Sequence, residues 1–552
     1  MKLKNYIAVL GCVAAMMVMA VSPASAAESY DLVVYGGTAG GVITAVSGAR
    51  EGLRVVLLEP RDHLGGMVSG GLSRTDVGRR EVIGGMSLEF YWRAGRHYEM
   101  HRHLQDIAWL PEPKVAEAIF NDMVKEAGVE VRYRHRLREK TGVRKEGLRV
   151  AEITMENGNS FQGRVFADCT YEGDLMAQAG VSYTWGREGV SQYGENLAGV
   201  REKTPYHQFT VDIPARDEKG RLLPEISPDP PGEIGSADRK VQAYNFRLIL
   251  TDDPSNQVPF PKPSDYRSER YELLAKLLKA MTARDGHAPR FNNVTGPGPI
   301  PNRKADFNNS GAFSTDYIGK NYDYPDGSYK RREEIWRDHE NYVKGFFYFL
   351  ANDPQVPADL QKDVNRWGLA KDEFTDNGNF PNQLYIREAR RMVGDFVVTQ
   401  KDLQTELTKP DPIGMGSYNS DSHNIQRVIG PNGMVVNEGD VQVSVKPYQI
   451  PYRVMLPKRA EAANLLVPVC FSASHVAYSS LRMEPQYMII GQAAGVAAAM
   501  AVKSSQPLHE IDAPALVARL REQGALMEQD VRSHMAVIAG FARRIRGRTD
   551  AR

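Results

Sequence analysis

The chain has 552 residues, 42% hydrophobic and 25% charged, with a net charge of +1. That length exceeds one ordinary core, so at least two domains are expected. The near-zero charge gives no basis for binding nucleic acid or an anionic membrane, and three cysteines fit neither a disulfide framework nor a zinc cluster.

The first 26 residues read as an export signal. Met1 to Lys4 is basic, Tyr6 to Val21 is apolar, and small residues stand at 24 and 26. Cleavage after Ala26 and a periplasmic or secreted location follow. The apolar run falls short of the roughly 20 residues of a membrane helix, so no stable membrane span is expected. Cys169 and Cys470 then remain, enough for one disulfide at most.

Leu32 to Tyr35 is a short buried-strand run, followed by glycines at 36, 37, 40 and 41. A helix-compatible segment runs from Val42 to Arg50, and a second buried strand, Arg54 to Leu58, ends at Glu59. Strand, glycine turn, helix, strand and acid is the order of a dinucleotide-binding βαβ unit. Gly36 makes the tight turn, Gly41 brings the helix close to the strand, and the helix N-terminus offers N–H groups to a pyrophosphate. Glu59 accepts from the ribose hydroxyls. Thr38 stands where the usual fingerprint has its middle glycine, and its hydroxyl is an available phosphate donor.

Further along, Pro113 to Ala127 reads as an amphipathic helix, and Val129–Leu137, Leu148–Met155 and Phe161–Ala167 as strands. Between 201 and 300 proline-rich loops dominate, and Gly296 to Pro301 is excluded as a nucleotide loop because its prolines remove N–H donors and no helix or strand frames it. Helices are expected at Glu269–Ala283, Arg332–Ala351 and Leu384–Val393, and a buried strand at Leu465–Val469. Gly491 to Met500 is a helix with small residues on nearly every face, suited to close approach of a sheet, a helix or a cofactor. Residues 508 to 525 close the chain as a surface helix. The expected fold is α/β: a Rossmann-like domain in two parts, 29–200 and 445–505, around an inserted α+β substrate domain at 201–444, with a helical extension at 506–552.

Several stretches together resemble one family. They are Tyr35-Gly-Gly-Thr38, Leu64-Gly-Gly-Met67, Ala167-Asp-Cys-Thr-Tyr-Glu-Gly-Asp174, Val241 to Leu248, Tyr385 to Arg391, Pro451-Tyr-Arg453 and Gly491-Gln-Ala-Ala-Gly495. The chain resembles the bacterial secreted FAD-dependent oxidoreductases with a Tyr-Gly-Gly-Thr turn, a group sometimes labelled "xanthan lyase". The resemblance implies FAD bound non-covalently in a glutathione-reductase-like domain. It implies that Gly36, Gly37, Thr38 and Gly41 hold the pyrophosphate and Glu59 the ribose. By the same likeness Arg61, Gly65, Gly66 and Met67 line the flavin side, and Asp174 lies near the ribityl or pyrophosphate region. The helix carrying Gly491 and Gln492 would aim its N-terminus at the flavin.

Oxidising an alcohol requires hydride transfer to the flavin and a base for the hydroxyl proton. His475, on the turn before the last glycine helix, is one candidate base. His423 is the other, with Asp421 available to orient it. Among Arg387, Arg390 and Arg391, read as one helix face, Arg387 is the candidate for a substrate oxygen. Tyr244, Asn245 and Arg247 are further pocket candidates. The expected function is a dehydrogenase acting on a sugar- or polyol-like small molecule, its electron acceptor left open. An oxygen-using oxidase and a non-catalytic polysaccharide-binding protein are the alternatives.

Overall fold

Strand β1 (Glu28–Tyr35) runs into helix α1 (Ala39–Arg50) and returns as β2 (Val55–Leu58), as the sequence predicts. The computed structural model describes residues 27–100 and 106–549, with side chains as far as 541, so the expected export signal lies outside the described residues. β1 and β2 pair in parallel from Leu32 opposite Val55 to Tyr35 opposite Leu58. Both strands are buried on both faces at these positions, which explains their unbroken apolar runs.

Helix α2 (Pro113–Ala127) starts with proline in its first turn and stops at Gly128, whose φ of 71° is left-handed. β3 (Glu130–Arg132), β4 (Val143–Glu146), β5 (Arg149–Thr154) and β6 (Ser160–Asp168) complete the first part of the sheet. Its order is β3-β2-β1-β6-β5-β4. The neighbours β3-β2-β1-β6 are parallel, whereas β5 and β4 are antiparallel.

The middle of the chain builds a second sheet from β7 (Leu248–Thr251), β8 (Gln257–Val258), β9 (Thr295–Ile300), β10 (Lys304–Asn309) and a later strand. Helix α3 (Tyr329–Asn352) follows, capped by Ser328, whose hydroxyl accepts from the Arg331 N–H. The last strand is β11 (Gly368–Ala370), and the order β9-β10-β7-β11-β8 is antiparallel throughout. Here the expectation that no helix or strand frames Gly296–Pro301 fails: Thr295–Ile300 is β9, an edge strand paired with β10. Pro297 and Pro299 are tolerated because only one side of an edge strand must donate to the ladder.

The expected helix at Leu384–Val393 is also wrong. The segment is extended: the Tyr385 N–H donates to Asn245 O at 2.8 Å, and Arg391 and Met392 pair with Thr184 and Tyr183. An extended chain sends its three arginines to different partners, where a helix would crowd them on one face.

The chain then rejoins the first sheet. β12 (Leu465–Leu466) lies parallel to β6, followed by α4 (His475–Leu481) and α5 (Glu484–Ser504). Among the described residues α5 is the one helix long and apolar enough to cross a membrane, and 83% of that window is buried inside the protein. Its glycines serve packing against α1. A Cβ on Gly491 would lie 2.4 Å from Gly40 O, and one on Gly495 2.5 Å from Ser47 Cβ. One hydrophobic core holds both sheets together, with Val34 and Leu250 in the same cluster.

Candidate functional site

A cavity of about 390 Å³ opens at the carboxyl ends of β1, β2 and β6, where open parallel sheets place their ligands. Gly36 and Thr38 line it from the first turn, Glu59 and Arg61 from the second, and Thr170 to Glu172 and Asp174 from the loop after β6. The opposite wall comes from α3.

The glycine turn is a steric requirement. Gly36 has φ +100°, and a Cβ there would meet the backbone of Cys169 and Thr170 at 2.8 Å. A Cβ on Gly41 would lie 1.9 Å from Gly36 O, so no side chain fits. Gly41 thus sets the helix-to-strand approach and stays out of the lining. Thr38 caps α1: its hydroxyl accepts from the Gly41 N–H at 3.1 Å and donates to Cys169 O at 2.8 Å. With that donor engaged, the expected role of the Thr38 hydroxyl as a phosphate donor is corrected to a structural cap.

Glu59 is 8% exposed and faces the cavity. Its two carboxylate oxygens accept from the N–H groups of Gly37 and Arg61, each at 2.7 Å. Burial raises its pKa to about 7, against the opposing pull of those two donors. Gly37 therefore positions the acid. Gly65 donates to Gly37 O at 2.7 Å, and Gly66 lines the cavity with φ +55°. The Met67 N–H points the other way, to the Tyr171 hydroxyl at 2.9 Å. That hydroxyl donates in turn to Glu484, at the start of α5, at 2.8 Å. Burial raises Glu484 to about 8, and its second oxygen has no partner. Asp174 lines the cavity between Arg332 and Arg390, each at 2.7 Å. Burial works to raise its pKa, but the two guanidinium groups outweigh it and lower it.

Gly491 and Gln492 do not line the cavity. α5 begins at Glu484, so Gly491 lies two turns inside it against α1. The Gln492 side chain accepts from the Met86 N–H at 2.8 Å and donates to Gln523 at 3.0 Å. The cofactor roles expected for these two are replaced by packing roles, because the helix starts a turn or more earlier than its glycines.

The four catalytic candidates lie in a buried charged network outside the cavity lining. His475 Nδ1 is 2.8 Å from Glu388, and its backbone N–H donates to Glu188 at 2.8 Å. Arg391 bridges Glu188 and Glu388. Burial, aided by Arg391, lowers His475 to about 3. His423 Nδ1 is 2.8 Å from Asp316, whose other oxygen lies 2.9 Å from Arg387. Burial and Arg387 lower His423 to about 4, so both imidazoles are neutral at pH 7. Asp421 is 3.9 Å from His423 Nε2, so the residue that orients the ring is Asp316, which the sequence reading missed. Tyr244 donates to Glu388 O, Asn245 to Thr315 at 3.3 Å, and Arg247 to Asp306 at 2.7 Å; none lines the cavity. Cys169 and Cys470 are both buried and unpaired.

Three carboxylates, Glu112, Asp372 and Glu373, converge as a metal site would. The Lys304 ammonium already sits among them at 2.6, 2.7 and 2.6 Å.

A glycine turn at a helix N-terminus, a buried acid after the next strand and a cleft at the strand ends define a dinucleotide-binding flavoprotein site. The residues present fit FAD: no Cβ fits where the pyrophosphate turn needs glycine, and Glu59 presents its carboxylate to the cleft. The chain belongs to the FAD dependent oxidoreductase family, whose model matches residues 31–522. It is an enzyme with FAD as its cofactor. No curated protein matches it. Solved structures match in part. They include OxyS anhydrotetracycline hydroxylase from Streptomyces rimosus, at 16% identity over 34% of this chain and 37% of that one, with TM-score 0.23. NikD, an unusual amino acid oxidase essential for nikkomycin biosynthesis, matches at 17% identity over 29% and 56%, with TM-score 0.22. THI4 of Thermovibrio ammonificans matches at 17% identity over 29% and 66%, with TM-score 0.21. This chain spans less than two thirds of each of these proteins.

Proposed function

We propose that the chain is a FAD-dependent dehydrogenase that oxidises a hydroxyl group of a sugar- or polyol-like small molecule. FAD bound in the cleft supplies a two-electron acceptor. The observation that carries the reading is the His423–Asp316 pair. Asp316 engages Nδ1, the ring is neutral at pH 7, and Nε2 is left for a hydroxyl proton. His207, half-buried, stacks on His423 with ring centres 6.1 Å apart. In this reading residues 201–444, which supply Asp316, Arg387, Asp421 and His423, form the inserted substrate-shaping domain. Residues 29–200 and 445–505 form the cofactor domain. Export to the periplasm or beyond completes the proposal, carried by the basic and apolar start of the sequence.

The test is to isolate the protein, record its visible spectrum and screen sugars and polyols for bleaching under nitrogen. Bleaching by such an alcohol, with electrons passed to an artificial dye, supports the dehydrogenase. Oxygen consumption with peroxide formation makes it an oxidase instead. A flavin-loaded protein that no alcohol bleaches overturns the substrate class.

A further inference from the structure

The cavity wall opposite the glycine turn comes from α3, and nothing in the dinucleotide motif accounts for it. Tyr329, Arg332, Trp336 and Glu340 recur at three- and four-residue spacing, so they share one helix face, and all four line the cavity. The neighbouring face, with Ile335, Tyr342 and Phe346, is buried in the core.

Two of the cavity-facing residues are aromatic, and each carries an arginine from across the cleft. The Arg61 guanidinium lies 3.8 Å from the Trp336 ring centre, and that of Arg136 lies 4.6 Å from the Tyr329 ring centre. Both arginines line the cavity and come from adjoining loops, since the Arg134 N–H donates to Arg61 O at 3.0 Å and the His135 N–H to Glu59 O at 2.9 Å. Trp336 is held in place: its ring meets Phe246 edge-on at 5.8 Å, and the Arg61 guanidinium covers the face it turns to the cleft. Arg332 ties the same helix face to Asp174 at 2.7 Å.

A ribose held at Glu59 would set its base beside Arg61 and Arg136, which line the cavity next to that acid. Flat guanidinium and aromatic planes are the groups that stack on a nucleobase. We infer that α3 completes the adenine subsite of the cofactor, with the Arg61 guanidinium, held flat against the Trp336 ring, as the plane on which the base stacks. The inference rests on the FAD reading of the cavity and extends it to a helix outside the βαβ unit. Cofactor binding then depends on the middle of the chain as well as on the glycine turn. FAD and ADP use the subsite, whereas FMN, which has no adenosine, does not.

The test is calorimetric titration of the apoprotein with ADP, FAD and FMN, in the wild type, Trp336→Ala and Trp336→Leu. The leucine variant keeps an apolar contact for Phe246 and is the one read if the alanine variant does not fold. A cation–π contact in a partly desolvated cleft is worth about 1–2 kcal/mol, so loss of the ring that holds the guanidinium weakens ADP and FAD binding about 5- to 30-fold and leaves FMN unchanged. Dissociation constants for ADP and FAD within twofold of wild type in the variants overturn the adenine subsite. A wild type that binds neither ADP nor FAD overturns the reading of the cavity itself.

Discussion

At the β1–α1 turn, the geometry that faces the cleft is set by main chain: Gly36 at φ +100°, the α1 N-terminus, and N–H groups that clamp Glu59. Around His423 and His475 it is set by side chains from segments far apart in sequence. Asp316, Arg387, Glu388 and Glu188 hold two imidazoles that are almost wholly buried. A main-chain site tolerates no added atoms but needs few residue types. A side-chain network accepts conservative changes of shape but fails when one charge is removed. The two regions should therefore break in different ways.

The largest effect is expected in the main-chain site. Gly41→Val places carbon atoms where Gly36 O now sits, so the helix cannot approach the strand. The variant should retain no flavin, read as the ratio of flavin to protein absorbance after incubation with excess FAD.

In the network, His423→Gln removes the proton acceptor and leaves the cleft intact. It should retain full FAD content and lose about 10²–10⁴-fold in alcohol-driven dye reduction. The wild-type rate should stay level from pH 8 down to about 5 and fall as pH drops through about 4, where His423 gains its proton. A pH profile with its midpoint near 6.5 would show that the buried imidazole is not the base.

Arg391→Ala leaves Glu188 and Glu388 buried without their cation. It should cost about 3–5 kcal/mol in chemical denaturation, because one partner of a buried ion pair is removed. Arg391→Lys should recover only part of that, since one ammonium cannot span both carboxylates in the planar geometry of a guanidinium.

The last effect is one of pH and lies where the two regions touch. Burial raises Glu484 to about 8 from 4.5, so the folded state binds its proton more tightly than the unfolded chain. Its contribution to stability is present at low pH and is lost as pH rises from 4.5 through about 8, at up to about 1.4 kcal/mol per pH unit. Glu484→Gln keeps a polar partner for Tyr171 and removes this dependence. Its stability relative to wild type should grow as pH rises over that window.

How much the sequence reveals follows the same division. β1, α1, β2 and α2 are legible because steric demands and apolar period act locally, and Gly36 and Glu59 are legible with them, whereas Asp174 comes only from the family resemblance. Asp316 is not, because its bond to His423 joins residues 107 apart in sequence. The segment around Arg387 misleads for the same reason: its apparent helical period comes from charges that seek three separate long-range partners. The Gly491 helix is read correctly as a helix, but its glycines answer to α1, which no local pattern announces. Trp336 carries a sequence signal of its own, an aromatic ring amid the charges of the helix expected at Arg332–Ala351.

The account stands or falls on the cleft between the glycine turn and α3. Apoprotein titrated with FAD, followed by the change in flavin fluorescence, tests it most directly. The prediction is saturable binding of one FAD per chain that Gly41→Val abolishes. Absence of saturable binding, or equal binding by Gly41→Val, would contradict it.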